Sequence, residues 1–135
     1  MNKIDTNLPK ITEIVEFVLD YLGIDGITLT IAQNTRLLDR LAPPDIELEA
    51  LTTATGVKDC YNIFFRDINP SKVVVCHEMI HLSQMVSGRL KMDLLSGRVN
   101  WEGSEYGNST RYFDRPWEKE AFARQNEIVK AFRKK

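Results

Sequence analysis

Histidine and cysteine are scarce in this chain, with two of each in 135 residues. Two cysteines cannot build the dense disulfide framework of a small secreted domain, nor a four-cysteine zinc site. Cys60 and Cys76 each sit in an apolar run, and the expectation is two buried free thiols in a reducing compartment. There is no excess of one charge either. Lys and Arg number 18 against 19 Asp and Glu, a net charge of −1, so no strong field favours nucleic acid or an anionic membrane. The basic close, Arg133-Lys134-Lys135, is too short for a polyanion site and reads as a solvated helix end. Long apolar runs are also lacking: none approaches the roughly 20 residues of a membrane span. No leader-like segment is legible, which sets the expectation of a cytoplasmic protein. There is no internal repeat and no low-complexity tract.

What is present has the composition of one ordinary globular domain, 43% hydrophobic and 27% charged. A chain this long buries roughly two-thirds of its unfolded surface and needs no staples, so residues 1–135 are expected to form a single domain.

Periodicity supplies the elements. Asn7 and Pro9 suit the start of a first helix. Ile11, Ile14, Val15, Val18, Leu19 and Leu22 share one of its faces, and Gly23 ends it. Ile27 to Ile31 alternates as a half-buried strand does. Thr35 to Leu41 fits a short helix stopped by Pro43-Pro44. Ile46 to Thr53 and Cys60 to Arg66 read as strands joined by a turn at Gly56. Asn69-Pro70 opens a central helix that runs to about Ser87, with Gly88 as its stop. Leu90 to Trp101 fits a hairpin around Ser96-Gly97, and 102–115 an irregular loop. Pro116 starts a last helix with Trp117, Ala121, Ile128 and Phe132 as its buried stripe. The order predicts an α+β domain.

The central helix carries His77-Glu78-Met79-Ile80-His81, an H-E-x-x-H match that uses both histidines. Residues four apart lie one turn apart on one helix face, about 5–6 Å between Cβ atoms. Two imidazoles so placed can converge on one Zn²⁺ at about 2.0–2.1 Å. Glu78 stands about 100° round the helix, beside the ion, where it can take a proton from the attacking water. For two histidines, this spacing with Glu at the inner position arises by chance roughly once in a thousand sequences of this composition. From Val73 to Gly88 the only charged residue is Glu78. A helix this apolar is buried, and a carboxylate buried beside two imidazoles calls for a compensating partner such as a metal. Cys76 adjoins His77 but projects about 100° away and is read as structural.

A catalytic zinc site takes three protein ligands and keeps one open position. With no third histidine, the third ligand is expected to be a carboxylate. Glu118, in the first turn of the last helix, is the favoured one. Glu120, about 200° further round, and Asp114, in the preceding loop, are the alternatives. Tyr106, Arg111 and Tyr112 lie before this ligand and are candidate donors to a developing oxyanion, with Tyr112 preferred. Trp101 and Trp117 are expected in the core or the wall of a cleft.

His77-Glu78-x-x-His81 followed by Glu118-x-x-Ala121 resembles the gluzincin arrangement of zincin metallopeptidases. Pro116-Trp117-Glu118-Lys119-Glu120-Ala121, with Trp101-Glu102-Gly103 upstream, is similar to blocks in small phage and prophage proteins of the zinc-metallopeptidase type. The resemblance covers roughly residues 60–125. It implies a minimal zincin-like domain, in which a small, mostly antiparallel sheet packs on an active-site helix with the C-terminal helix alongside. It also implies metal ligands His77, His81 and Glu118, a zinc cofactor, Glu78 as general base and a peptide or protein substrate. For a phage protein the compartment would be the host cytoplasm. A substrate strand added to an exposed sheet edge, with Cys60–Arg66 as one such edge, fits this chemistry. Two other readings share the motif: a zincin-fold assembly module without activity, and a SprT-type protease acting on DNA-bound proteins. The intact Glu78 weighs against the first and the neutral charge against the second.

Overall fold

The structure, a computed structural model, describes residues 1–93, 95–107 and 109–135. Among these the chain runs through β1 (Lys3–Thr6), α1 (Thr12–Tyr21), β2 (Thr28–Gln33), α2 (Thr35–Leu41), β3 (Ala50–Ala54) and β4 (Cys60–Phe65). It continues with α3 (Lys72–Val86), β5 (Leu90–Met92), β6 (Val99–Trp101), β7 (Ser104–Tyr106), a 3-10 turn at Tyr112–Asp114 and α4 (Pro116–Lys134). The class is α+β, with helices on a four-stranded sheet and a separate three-stranded sheet. No described helix is long and apolar enough to cross a membrane.

The larger sheet has the order β1-β2-β4-β3. Its alternation works as the sequence suggests. Leu29 and Ile31 of β2 and Ile63 and Phe65 of β4 are all buried, in a register that sets Ile31 opposite Ile63. Against them pack Ile14, Val15, Val18 and Leu19 of α1, the α3 side chains Val75, Cys76, Met79, Ile80 and Leu82, and Ala121, Ile128 and Val129 of α4. A smaller core of Met85, Leu90, Val99, Trp101 and Trp117 joins the β5-β6-β7 sheet to the ends of α3 and α4. Both tryptophans are therefore packing residues.

Several boundaries differ from expectation. In the sheet that carries α3, only β3–β4 pairs antiparallel, while β1–β2 and β2–β4 are parallel. Parallel neighbours need a crossover; α1 separates β1 from β2, and α2 and β3 lie between β2 and β4. Strand β1 was not expected at all. With Ile4 its one apolar residue, it is held by its pairing to Thr28–Ile31 rather than by a pattern of its own. Asn7 and Pro9 accordingly do not open α1, whose cap position is Ile11. The run from Ile46 becomes strand only at Ala50. Asp45 is left-handed, with φ 64°, and the Leu48 carbonyl is taken by Arg66 Nε at 2.9 Å rather than by a strand; only Glu49 O, which accepts from Arg66 N at 2.8 Å, still meets β4 before Ala50. Ser71, not Asn69, caps α3: its Oγ accepts from Val74 N at 3.2 Å. The loop expected over 102–115 contains β7, too short to give a periodic signal; within that loop, Asn108 lies outside the described residues. Trp101 pairs with Ser104 across a two-residue turn in which Glu102 (φ 51°) and Gly103 (φ 90°) are both left-handed, as a type I′ hairpin turn demands.

Candidate metal centre

Helix α3 is buried over nearly its whole length because it lies between the large sheet and α4. The helical spacing brings the two imidazoles together with ring centroids 4.8 Å apart, and His77, Glu78 and His81 are each less than a tenth exposed. Their ligand atoms lie within 4.8 Å of one another, a buried group that can hold a metal ion.

Helix α4 adds a closer carboxylate. Glu118 Oε1 stands 2.9 Å from His77 Nε2 and 3.0 Å from His81 Nε2, while the two Nε2 atoms are 3.2 Å apart. Tetrahedral ligands at about 2.0–2.1 Å from a shared ion stand roughly 3.3 Å from each other. The triangle of two nitrogens and one oxygen thus fits an ion after opening by a few tenths of an ångström.

The other ring nitrogens are also engaged. His77 Nδ1 lies 2.8 Å from Gln125 Oε1, and His81 Nδ1 lies 2.8 Å from Gln84 Oε1. An amide oxygen only accepts, so both Nδ1 atoms carry protons. In the neutral imidazoles the Nε2 lone pairs therefore face the Glu118 carboxylate. Three acceptors aimed at one point require a cation or a proton between them.

Without a metal, that role falls to a proton. Burial pulls the pKa of His81 down, but the charge and hydrogen bond of Glu118, with Glu78 and Gln84, outweigh it and push it up to about 9. Burial works the other way on Glu118, yet the charge of His81 and hydrogen bonding at the imidazole nitrogens hold its carboxyl well below the usual range. Glu78 differs. Fully buried, its carboxyl is raised, chiefly by desolvation, although the imidazole charges and Thr52 oppose this. Thr52, on β3, lies 2.9 Å by its Oγ1 from Glu78 Oε1 and 3.1 Å from the Glu78 carbonyl, to either of which it can donate.

Of the candidate oxyanion donors, Tyr112 alone reaches this cluster. Its hydroxyl donates to Glu118 Oε1 at 3.0 Å. Burial, then the charges of Glu118 and Glu78, raise its pKa far above the ordinary phenol value. Tyr106 instead packs edge-on to Trp117, and Arg111 pairs with Asp114 on the surface. That pairing takes Asp114 away from the imidazoles, and Glu120 is turned to Arg89 and Gln84. Of the three carboxylates weighed from sequence, Glu118 is the one placed on the histidines. Cys76 points into the core, where burial pushes its thiol up to about 11.

Two clefts open onto the cluster. One, of about 450 Å³, is lined by Glu78, His81, Glu118 and Tyr112, with Trp117 and the β3 residues Ala50, Leu51 and Thr52. The other, of about 310 Å³, lies on the His77 side with Val73, Val74, Phe113 and Phe122. Both share Leu48, Ala50, Glu78 and Tyr112. The strand beside them is β3, an edge of the sheet. The expectation that Cys60–Arg66 forms an edge is corrected: β4 lies between β2 and β3.

Sequence reasoning missed Thr52, Gln84 and Gln125. Gln84 lies seven residues beyond His77, and Gln125 seven beyond Glu118. Each therefore falls on the face of His77 or Glu118 two turns back, a signal the sequence carries. Thr52 comes from another element and had none. Compared with protein-family models, with curated proteins and with solved structures, the chain gives no match.

Proposed function

We propose that this chain is a zinc-dependent peptidase of gluzincin-like type, with His77, His81 and Glu118 as ligands and Glu78 as general base. The observation that carries the reading is the convergence of His77 Nε2, His81 Nε2 and Glu118 Oε1, each within 3.2 Å of the other two, in a site opening onto a cleft. Two imidazoles and a carboxylate suit zinc and leave a fourth position open. A bound zinc polarises a scissile carbonyl and makes water more acidic. Glu78, raised by burial and steadied by Thr52, takes the proton of the attacking water and returns it to the leaving amine. Tyr112, which stays protonated, turns its O–H from Glu118 to the developing oxyanion.

The substrate is a peptide or an unfolded protein segment in extended form. Its backbone pairs with the free edge of β3, which brings the scissile bond past Glu78, and its side chains enter the two clefts that share this wall. The near-neutral charge gives no support to a nucleic-acid partner, and a cytoplasmic site of action agrees with the free thiols. Metal analysis of purified protein is expected to give about one zinc per chain, lost in His77→Ala. Glu78→Gln is expected to retain zinc while peptide-library hydrolysis falls by at least about 10²-fold. Failure to take up zinc under replete conditions would overturn the reading.

A further inference from the structure

The hydrogen bonds that begin at His81 do not stop at Gln84. This glutamine is 1% exposed, and its amide orientation is dictated by its surroundings. Gln84 Nε2 donates to Trp117 O and to Glu120 Oε1, each at 3.1 Å, so its oxygen is turned to His81 Nδ1. The flipped amide would set its oxygen against two acceptors. Glu120 is in turn gripped by both terminal nitrogens of Arg89, at 2.9 Å and 2.5 Å. Arg89 then joins the small sheet. Its guanidinium lies 4.6 Å above the Trp101 ring, and its Nε donates to Glu102 Oε2 at 3.0 Å. The Glu102 amide donates back to Arg89 O at 2.8 Å. Trp101 packs against Trp117, whose neighbour in the chain is Glu118.

We infer that Gln84, Glu120 and Arg89 form a positioning relay that ties the metal-facing tautomer of His81 to the β5-β6-β7 sheet, so that residues remote from the ion set zinc affinity. The inference rests on the zinc reading. It gives the small sheet, and the left-handed Glu102 at its turn, a part in building the site. Partners that orient a ligating histidine are worth about 10–100-fold in metal affinity. His77 is held more simply: among the described residues Gln125 passes its contact to no further side chain.

Zinc affinity, measured by competition with a chromophoric chelator, tests this together with the imidazole nitrogen spectrum and amide exchange at Lys91, Asn100 and Tyr106. Gln84→Leu is expected to lower zinc affinity on the order of 10–100-fold and to perturb the Nδ1–H signal of His81. Arg89→Met, which touches no ligand, is expected to lower it on the order of tenfold, and Arg89→Lys by less, since the charge survives without the two-pronged grip. Zinc is expected to slow exchange of the three sheet amides in the wild type but not in Arg89→Met. Should Gln84→Leu not fold, the two Arg89 variants carry the same comparison. A wild type that binds zinc, with Gln84→Leu and Arg89→Met within twofold of it, would overturn the relay and leave the zinc reading intact. If an Arg89 variant alone is measurable, an affinity within twofold of wild type does the same. A wild type that binds no zinc overturns both.

Discussion

At the scale of residues, the site is built on a shared position that either a proton or a metal can fill. His81 keeps its second proton up to about pH 9 in the metal-free protein, because Glu118 outweighs the effect of burial. In the proposed site zinc must displace that proton. Between about pH 7 and 9 the logarithm of zinc affinity is therefore expected to rise by about one per pH unit and to flatten above. Calorimetric titration across that range measures the slope, and a pH-independent affinity would contradict the shared position. Tyr112 stands differently: its hydroxyl touches Glu118 without being needed to complete the triangle of His77, His81 and Glu118. Tyr112→Phe should keep zinc and lower kcat on the order of 10²-fold, the cost of one oxyanion donor. Metal content and kcat measured on one preparation separate this from loss of the site.

At the scale of elements, the helices are set by capping and burial, and the short strands by their partners. Ser71 and Gly88 bracket α3, the first by its hydroxyl and the second by a φ of 80° that a left-handed helix end requires. The turn between β6 and β7 depends likewise on Gly103 at φ 90°, with open space where a Cβ would stand. Gly103→Ala is thus a matter of backbone conformation rather than collision. It is expected to cost about 1–2 kcal/mol, read as a lower midpoint in urea unfolding. If the small sheet supports His81 as inferred, the same variant also weakens zinc binding. The I′ turn explains Trp101-Glu102-Gly103, which as a sequence looked like part of a family block and in the fold is a hairpin corner.

At the scale of the whole molecule, α3 and α4 must pack side by side for the site to exist, so metal and fold are linked. Zinc at a hundredfold excess over its Kd is expected to add about 2.7 kcal/mol to stability, on the order of 10 °C in Tm for a chain of this length. The pH dependence should reverse between the two states. In the metal-free protein His81 has a folded pKa raised from 6.5 to about 9, so its contribution is full below pH 6.5 and is lost as pH rises through about 9. Glu78, raised as well, acts in the same direction. With zinc bound, stability should instead fall as acid protonates the ligands. Thermal unfolding at pH 6 and pH 9, with zinc and with chelator, checks both signs.

The sequence alone determined what is local. The helical spacing of His77 and His81, the general position of Glu78, the strand alternation around Ile31 and Ile63, the start of α4 at Pro116 and the end of α3 at Gly88 all follow from periods and caps within one element. It also limited the expected third ligand to a carboxylate, because both histidines were already spent. Which carboxylate meets the histidines depended on the rotation of α4 against α3, and that is decided by how Trp117, Ala121 and Ile128 bury themselves. The tertiary structure likewise decided that β3 is the edge strand, that Thr52 meets Glu78, and that β1 exists at all. Those features rest on contacts between segments distant in the chain, and no pattern within one segment carries them.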